Sequence, residues 1–98
     1  MIKKYTLYLT PQSLEHITHI AHWYNVKSKG LGNRFTKELK AALAETEKKP
    51  TFPSFRYDKV RYAIPKNFPY AAHYTIAGSI IIVHAVFGFS ENPKKWEE

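Results

Sequence analysis

"NFPYAAHYTIAGSIIIVHAVF", residues 67–87, decides the fold. Tyr70 to Ile76 reads as a strand. "AGS" then turns the chain, with Gly78 free to take a positive φ. Ile80 to Phe89 follows as a longer strand, apolar on both faces, so it belongs at the centre of a sheet. His84 inside it is expected to be a hydrogen-bonded core histidine. Upstream, "YDKVRYAI" (57–64) reads as another strand, with Val60, Tyr62 and Ile64 opposite Arg61 and Ala63. Pro65 ends that strand or marks it as a sheet edge. Positive charge brackets the hairpin: Lys59, Arg61 and Lys66 before it, Lys94 and Lys95 after it beside Trp96.

Working back from the hairpin, "KPTFPSF" forbids helix and central strand alike, because prolines recur within it. Before it lie two helical stretches. "KKYTLYLT" alternates and reads as a first strand, with Tyr5, Leu7 and Leu9 on one face. "TPQSLEHI" then starts a helix: Thr10 can cap it, and Pro11 fits the first helical position, where an N–H would be unpaired. Leu14, Ile17, Ile20, Ala21 and Tyr24 form its apolar stripe. "NVKSKGLGN" breaks that helix, and Gly30 and Gly32 permit the tight corner. A second helix runs from Leu31 to Lys48, with Leu31, Phe35, Leu39, Ala42 and Leu43 as its stripe. Arg34–Glu38 and Glu45–Lys49 are i,i+4 pairs on its exposed side.

The order is β-α-α-β-β-β. It implies an α+β fold, a helical hairpin packed on one face of a four-stranded, mostly antiparallel sheet. Strand one should enter beside the central fourth strand. No helix remains for the opposite face, so a functional site has room there. Residues 1–98 are expected to form a single domain.

The chain has 98 residues, 44% of them apolar, with no cysteine and a formal charge of +7. A disulfide framework or a thiolate metal site is impossible. No apolar run reaches the length that spans a bilayer, and the basic start "MIKKYTLYLT" lacks an apolar leader region, so no membrane association and a cytoplasmic location are expected. The positive excess lies in residues 26–49 and 56–70, at +4 and +3. Such an excess suits an acidic partner, nucleic acid or protein, or simply a solvated face. Twelve of the fifteen basic residues are Lys. Lys is a flexible point charge, which tilts away from sequence-specific DNA reading.

Catalytic signatures are few. No nucleophile elbow, phosphate-binding loop, dinucleotide fingerprint or paired carboxylate occurs, and no cofactor is expected. His16, His19 and His22 recur at three-residue spacing on the first helix, placed opposite its stripe. With only Glu15 near them, a physiological metal site is not expected. Any catalysis would use Lys, Arg, His and Tyr, a set able to cleave RNA through its 2′-hydroxyl. Lys59, Arg61 and Lys66 form either an anion-binding patch or a basic edge that discourages aggregation. Tyr70 reads as core or as catalyst.

These segments together resemble the RelE/ParE superfamily, the toxin half of bacterial type II toxin–antitoxin modules. "YTLYLTPQSLEHI" is similar to the family's first strand and helix, and "WYNVKSKGLGNRF" to its helix corner. "VRYAIPKNFPYAAHY" is similar to its basic strand, Phe-Pro-Tyr and hairpin, and "IIIVHAVFGFSENPKKW" to its last strand and tail. The resemblance implies the same fold and an antitoxin partner with an acidic, amphipathic segment. It also implies one of two activities. ParE-like members bind DNA gyrase; RelE-like members cleave mRNA on the ribosome. For the nuclease, position implies Arg61, Lys66, Tyr70 and His73 as the working set. For binding, Lys59, Arg61, Lys66, Lys94, Lys95 and Trp96 are the candidates. Many members carry Arg, His and Arg where this chain has Ala85, Gly88 and Glu91. Those losses favour a toxin that acts by binding alone, or one whose toxicity has decayed.

Overall fold

The computed structural model describes residues 4–89. In chain order the elements are β1 (Thr6–Leu9), α1 (Pro11–Lys27), α2 (Leu31–Lys48), β2 (Arg61–Ala63), β3 (Tyr70–Ala77) and β4 (Ile80–Gly88). The sheet order is β1-β4-β3-β2, with β1 parallel to β4 and the other pairs antiparallel. The expected α+β architecture is present, and the apolar last strand lies inside the sheet between β1 and β3.

Thr10 ties the first helix to that strand. Its side-chain oxygen caps α1 by accepting from the Ser13 N–H at 3.1 Å. Its N–H donates to the Val83 carbonyl at 3.1 Å, and its hydroxyl to the His84 carbonyl at 3.2 Å. One residue therefore starts the helix and fixes it to the β4 edge. The helix is rotated slightly from the expected stripe. Ser13 is fully buried, Ile20 is buried and Ile17, Ala21 and Tyr24 are half-buried, whereas Leu14 is 48% exposed. The cause is the Thr10–Ser13 link: the Ser13 hydroxyl donates back to the Thr10 carbonyl at 2.8 Å, so this small residue takes the inward position.

At the helix corner Gly30 has φ +86°. Gly32 makes the close approach: a Cβ there would collide with the Ala21 carbonyl, and its N–H donates to Asn25 Oδ1 at 2.7 Å. On α2, Phe35, Leu39 and Leu43 are buried as expected. They meet Ala63, Ala72, Tyr74, Ile81, Val83 and Val86 from the sheet. Of the expected helix-surface pairs, Arg34–Glu38 forms at 2.9 Å, but Glu45 pairs with Lys48 at 3.5 Å.

The β3–β4 turn is the two-residue Gly78–Ser79 link, with Gly78 at φ +60°. Further along, the hairpin register shifts. His73 pairs with Ala85 and Tyr74 with Val83, which leaves His84 as an extra residue on β4. This bulge lets both His84 and Ala85 serve the side away from the helices.

Candidate functional site

Strand pairing and alternation assign a face to the candidates that lie on strands, Arg61, Tyr70 and His73. Arg61 pairs with Tyr74, which belongs to the helix-side core, so Arg61 points to the helix side as well. Its Nε donates to the Pro53 carbonyl at 2.8 Å, and its guanidinium lies 4.1 Å from the Phe55 ring centre. The adjacent Tyr74 hydroxyl is buried and donates to the Pro50 carbonyl at 2.8 Å. Burial raises its pKa above 10, and the Arg61 charge opposes that rise.

Tyr70 is also on the helix side, half-buried, with ring centres of Phe35 and Tyr24 at 5.7 and 6.1 Å. Lys66 lies exposed in the turn after β2, where the next residue, Asn67, donates to Glu38 of α2 at 3.4 Å. Lys59 lies exposed in the Tyr57–Val60 turn, beyond the opposite end of β2. Lys94, Lys95, Trp96 and Glu91 lie outside the described residues.

His73 is on the other face. No helix among the described residues covers that face, yet its centre is not open. His73 is 3% exposed, Ala85 fully buried and Phe87 5% exposed. A ring stack fills it. The Tyr62 ring centre is 4.2 Å from that of His73, Phe87 is 5.2 Å away edge-on, and the Tyr57 hydroxyl meets His73 Nδ1 at 2.9 Å. Arg56 lies over Tyr62 at 5.0 Å. His84 occupies the rim, half-buried, with Nε2 2.7 Å from the Thr75 hydroxyl, and burial lowers its pKa below 6.5. Arg61 and Tyr70 thus face one side of the sheet and His73 the other. The expected concentration of cations on the uncovered face is replaced by cations ranged around the short β2 edge.

A second feature escaped the sequence. Beyond the end of β1, α1 takes over the β4 edge: His16 Nδ1 accepts the Val86 N–H at 3.1 Å, and its ring centre lies 5.2 Å from that of Phe87. His16 therefore does not sit opposite the buried stripe with the other histidines. Above it opens a groove of about 520 Å³, bounded by Glu15, His16, His19, Trp23, Tyr70 and Phe87. Trp23 is half exposed and has Lys27 5.2 Å above its ring. The neighbouring Tyr24 ring centre is 5.1 Å from that of Trp23, and burial raises the Tyr24 pKa. The available signal was Trp23, one residue outside the apolar stripe. Aromatic walls with a few polar groups suit an apolar anchor from a partner segment.

A chain of the solved structure titled "Chromosomal ParDE TA system from P. aeruginosa" superposes on this molecule with a TM-score of 0.77. The two share a fold. The match covers 87% of this chain and 96% of the other at 12% sequence identity, so it is a likeness of architecture. No protein-family model matches the sequence, and no curated protein matches it significantly. Among the described residues no helix is long and apolar enough to cross a membrane.

Proposed function

We propose that this chain is the toxin of a type II toxin–antitoxin module, ParE-like, which binds an essential target and is silenced by a cognate antitoxin. DNA gyrase is the leading target and the cytoplasm the location. Support comes from the near-complete overlap with a ParDE chain and from a net charge of +7. The antitoxin would place apolar side chains in the groove between α1 and the β4 edge. Its acidic residues would answer the cations around β2, speeding encounter more than deepening affinity.

The observation that carries binding over cleavage is Ala85. It is fully buried beside His73, at a position where RelE-like nucleases are expected to hold Arg. A missing donor to the transition state costs about two to three decades in rate. The ring stack also leaves His73 nearly inaccessible to substrate. The second reading, a ribosome-dependent mRNA endonuclease using Arg61, Lys66, Tyr70 and His73, draws on the Tyr57–His73 hydrogen bond as a route for a proton.

Induced expression tests the proposal. The chain alone should arrest bacterial growth, and co-expression of the short acidic product of a neighbouring reading frame should restore it. Trp23→Ala should weaken capture of that product while growth arrest persists. Unimpeded growth on induction of soluble chain would remove the toxin reading.

A further inference from the structure

The connector between α2 and β2 exposes more ring surface than a solvated loop requires. Phe52 is 82% exposed and Phe55 51%. Each has a cation at its face: Lys49 Nζ lies 5.5 Å from the Phe52 ring centre and the Arg61 guanidinium 4.1 Å from that of Phe55. Arg56 repeats the arrangement on Tyr62. The chain has three arginines. Arg34 is held by Glu38, and the other two lie here. Arginine, scarce across the sequence, is concentrated at this loop and the start of the strand that follows it.

The loop is also anchored. The Pro50 carbonyl accepts from Tyr74 and the Pro53 carbonyl from Arg61, so strand residues pin its backbone at two points. The rings are therefore presented from a fixed base, which lowers the ordering cost of binding. Beside Phe52 is a shallow depression of about 270 Å³, bordered by Thr46 and Pro53. Glu45 on its rim forms an exposed ion pair with Lys48 at 3.5 Å. Within residues 49–61 Asp58 is the single acid, against Lys49, Arg56, Lys59 and Arg61.

We infer that this loop binds single-stranded nucleic acid, stacking bases on Phe52 and Phe55 and holding phosphates with Lys49, Arg56 and Lys59. Alternating rings and cations match the alternation of bases and phosphates along a strand. The centre of a protein interface is instead depleted of lysine, which supplies two of the cations here, Lys49 and Lys59. The inference does not rest on the toxin reading, and its readout is binding rather than growth.

The test is fluorescence anisotropy of the full chain with labelled oligo-dT and oligo-U of about twelve nucleotides, across salt concentrations. Binding should weaken steeply with salt. Phe52→Ala and Phe55→Ala should each lower affinity about tenfold at an unchanged salt slope. Arg56→Gln should reduce that slope by about one. These side chains are outside the helix-side core, and circular dichroism would verify folding of each variant. Wild-type affinity in both Phe variants would overturn the inference, leaving diffuse charge attraction. So would absence of binding at low salt. Equally tight, ring-dependent binding of a poly-glutamate peptide would overturn it too, by pointing to an acidic protein segment.

Discussion

On the helix side of the sheet, Phe35, Leu39 and Leu43 press on Ile81, Val83, Val86 and Tyr74, and aliphatic and aromatic packing does nearly all the work. On the far side, Tyr62, His73 and Phe87 stack with Tyr57, and hydrogen bonds to imidazole nitrogens accompany the packing. The two sides differ in how much change each can absorb. Packing of the first kind tolerates few changes, because a close-packed interior relaxes poorly around a void. On the far side Ala85 stands where the nuclease resemblance implies a cationic side chain. That side keeps the fold because rings and small residues fill the space.

The sharpest test of this contrast is Phe35→Ala on the helix side. Phe35 is fully buried among Tyr24, Phe68 and Tyr70. Its truncation should cost about 3–5 kcal/mol in urea unfolding, enough to approach the whole stability of a small domain. A loss below about 1 kcal/mol would mean that the helix side is not the dominant core.

Ala85→Arg comes next and examines the far side. The position is fully buried against His73, so a guanidinium there must displace rings and give up solvent. A loss of about 2–3 kcal/mol is expected, with no mRNA cleavage gained. A stable, nucleolytic Ala85→Arg variant would show that the face has room for the missing clamp.

Much of this contrast was legible in the sequence. Periodicity located both helices and the hairpin, since the apolar stripe of α2 and the long, mostly apolar Ile80–Phe89 run leave few alternatives. Parity was less informative at β2. Val60, Tyr62 and Ile64 look like the inward set, yet Ala63 is buried in the helix-side core and Ile64 is 43% exposed. Three residues are too few for alternation to fix a face, and the Pro53 carbonyl draws Arg61 toward the helix side. The His84 bulge was hidden for a related reason: a register shift leaves no mark in an apolar run. The role of His16 depends on where β1 stops, a fact of strand length rather than composition. The cations over Phe52 and Phe55 arise from loop closure between distant residues, which no local pattern encodes.

Tyr74→Phe should have a smaller effect, about 1–2 kcal/mol, by stranding the Pro50 carbonyl that pins the connector. An unchanged unfolding midpoint would show that the loop is held elsewhere. The smallest effect concerns His84. Burial depresses its folded pKa below the ordinary 6.5, so in acid the unfolded chain binds more protons than the native one. Its contribution to stability should be complete above 6.5 and decline as pH falls through that value toward the folded pKa. His84→Gln should flatten that part of the curve; an identical pH profile in the variant would assign the titration to another group.

On the proposed reading, the sheet face away from the helices is filled by rings and does not cut RNA. Mapping mRNA 5′ ends by primer extension after induction of the chain tests it most directly. Growth arrest with no new ends inside translated codons is the predicted result. New ends in the reading frame that vanish in His73→Gln would contradict the claim.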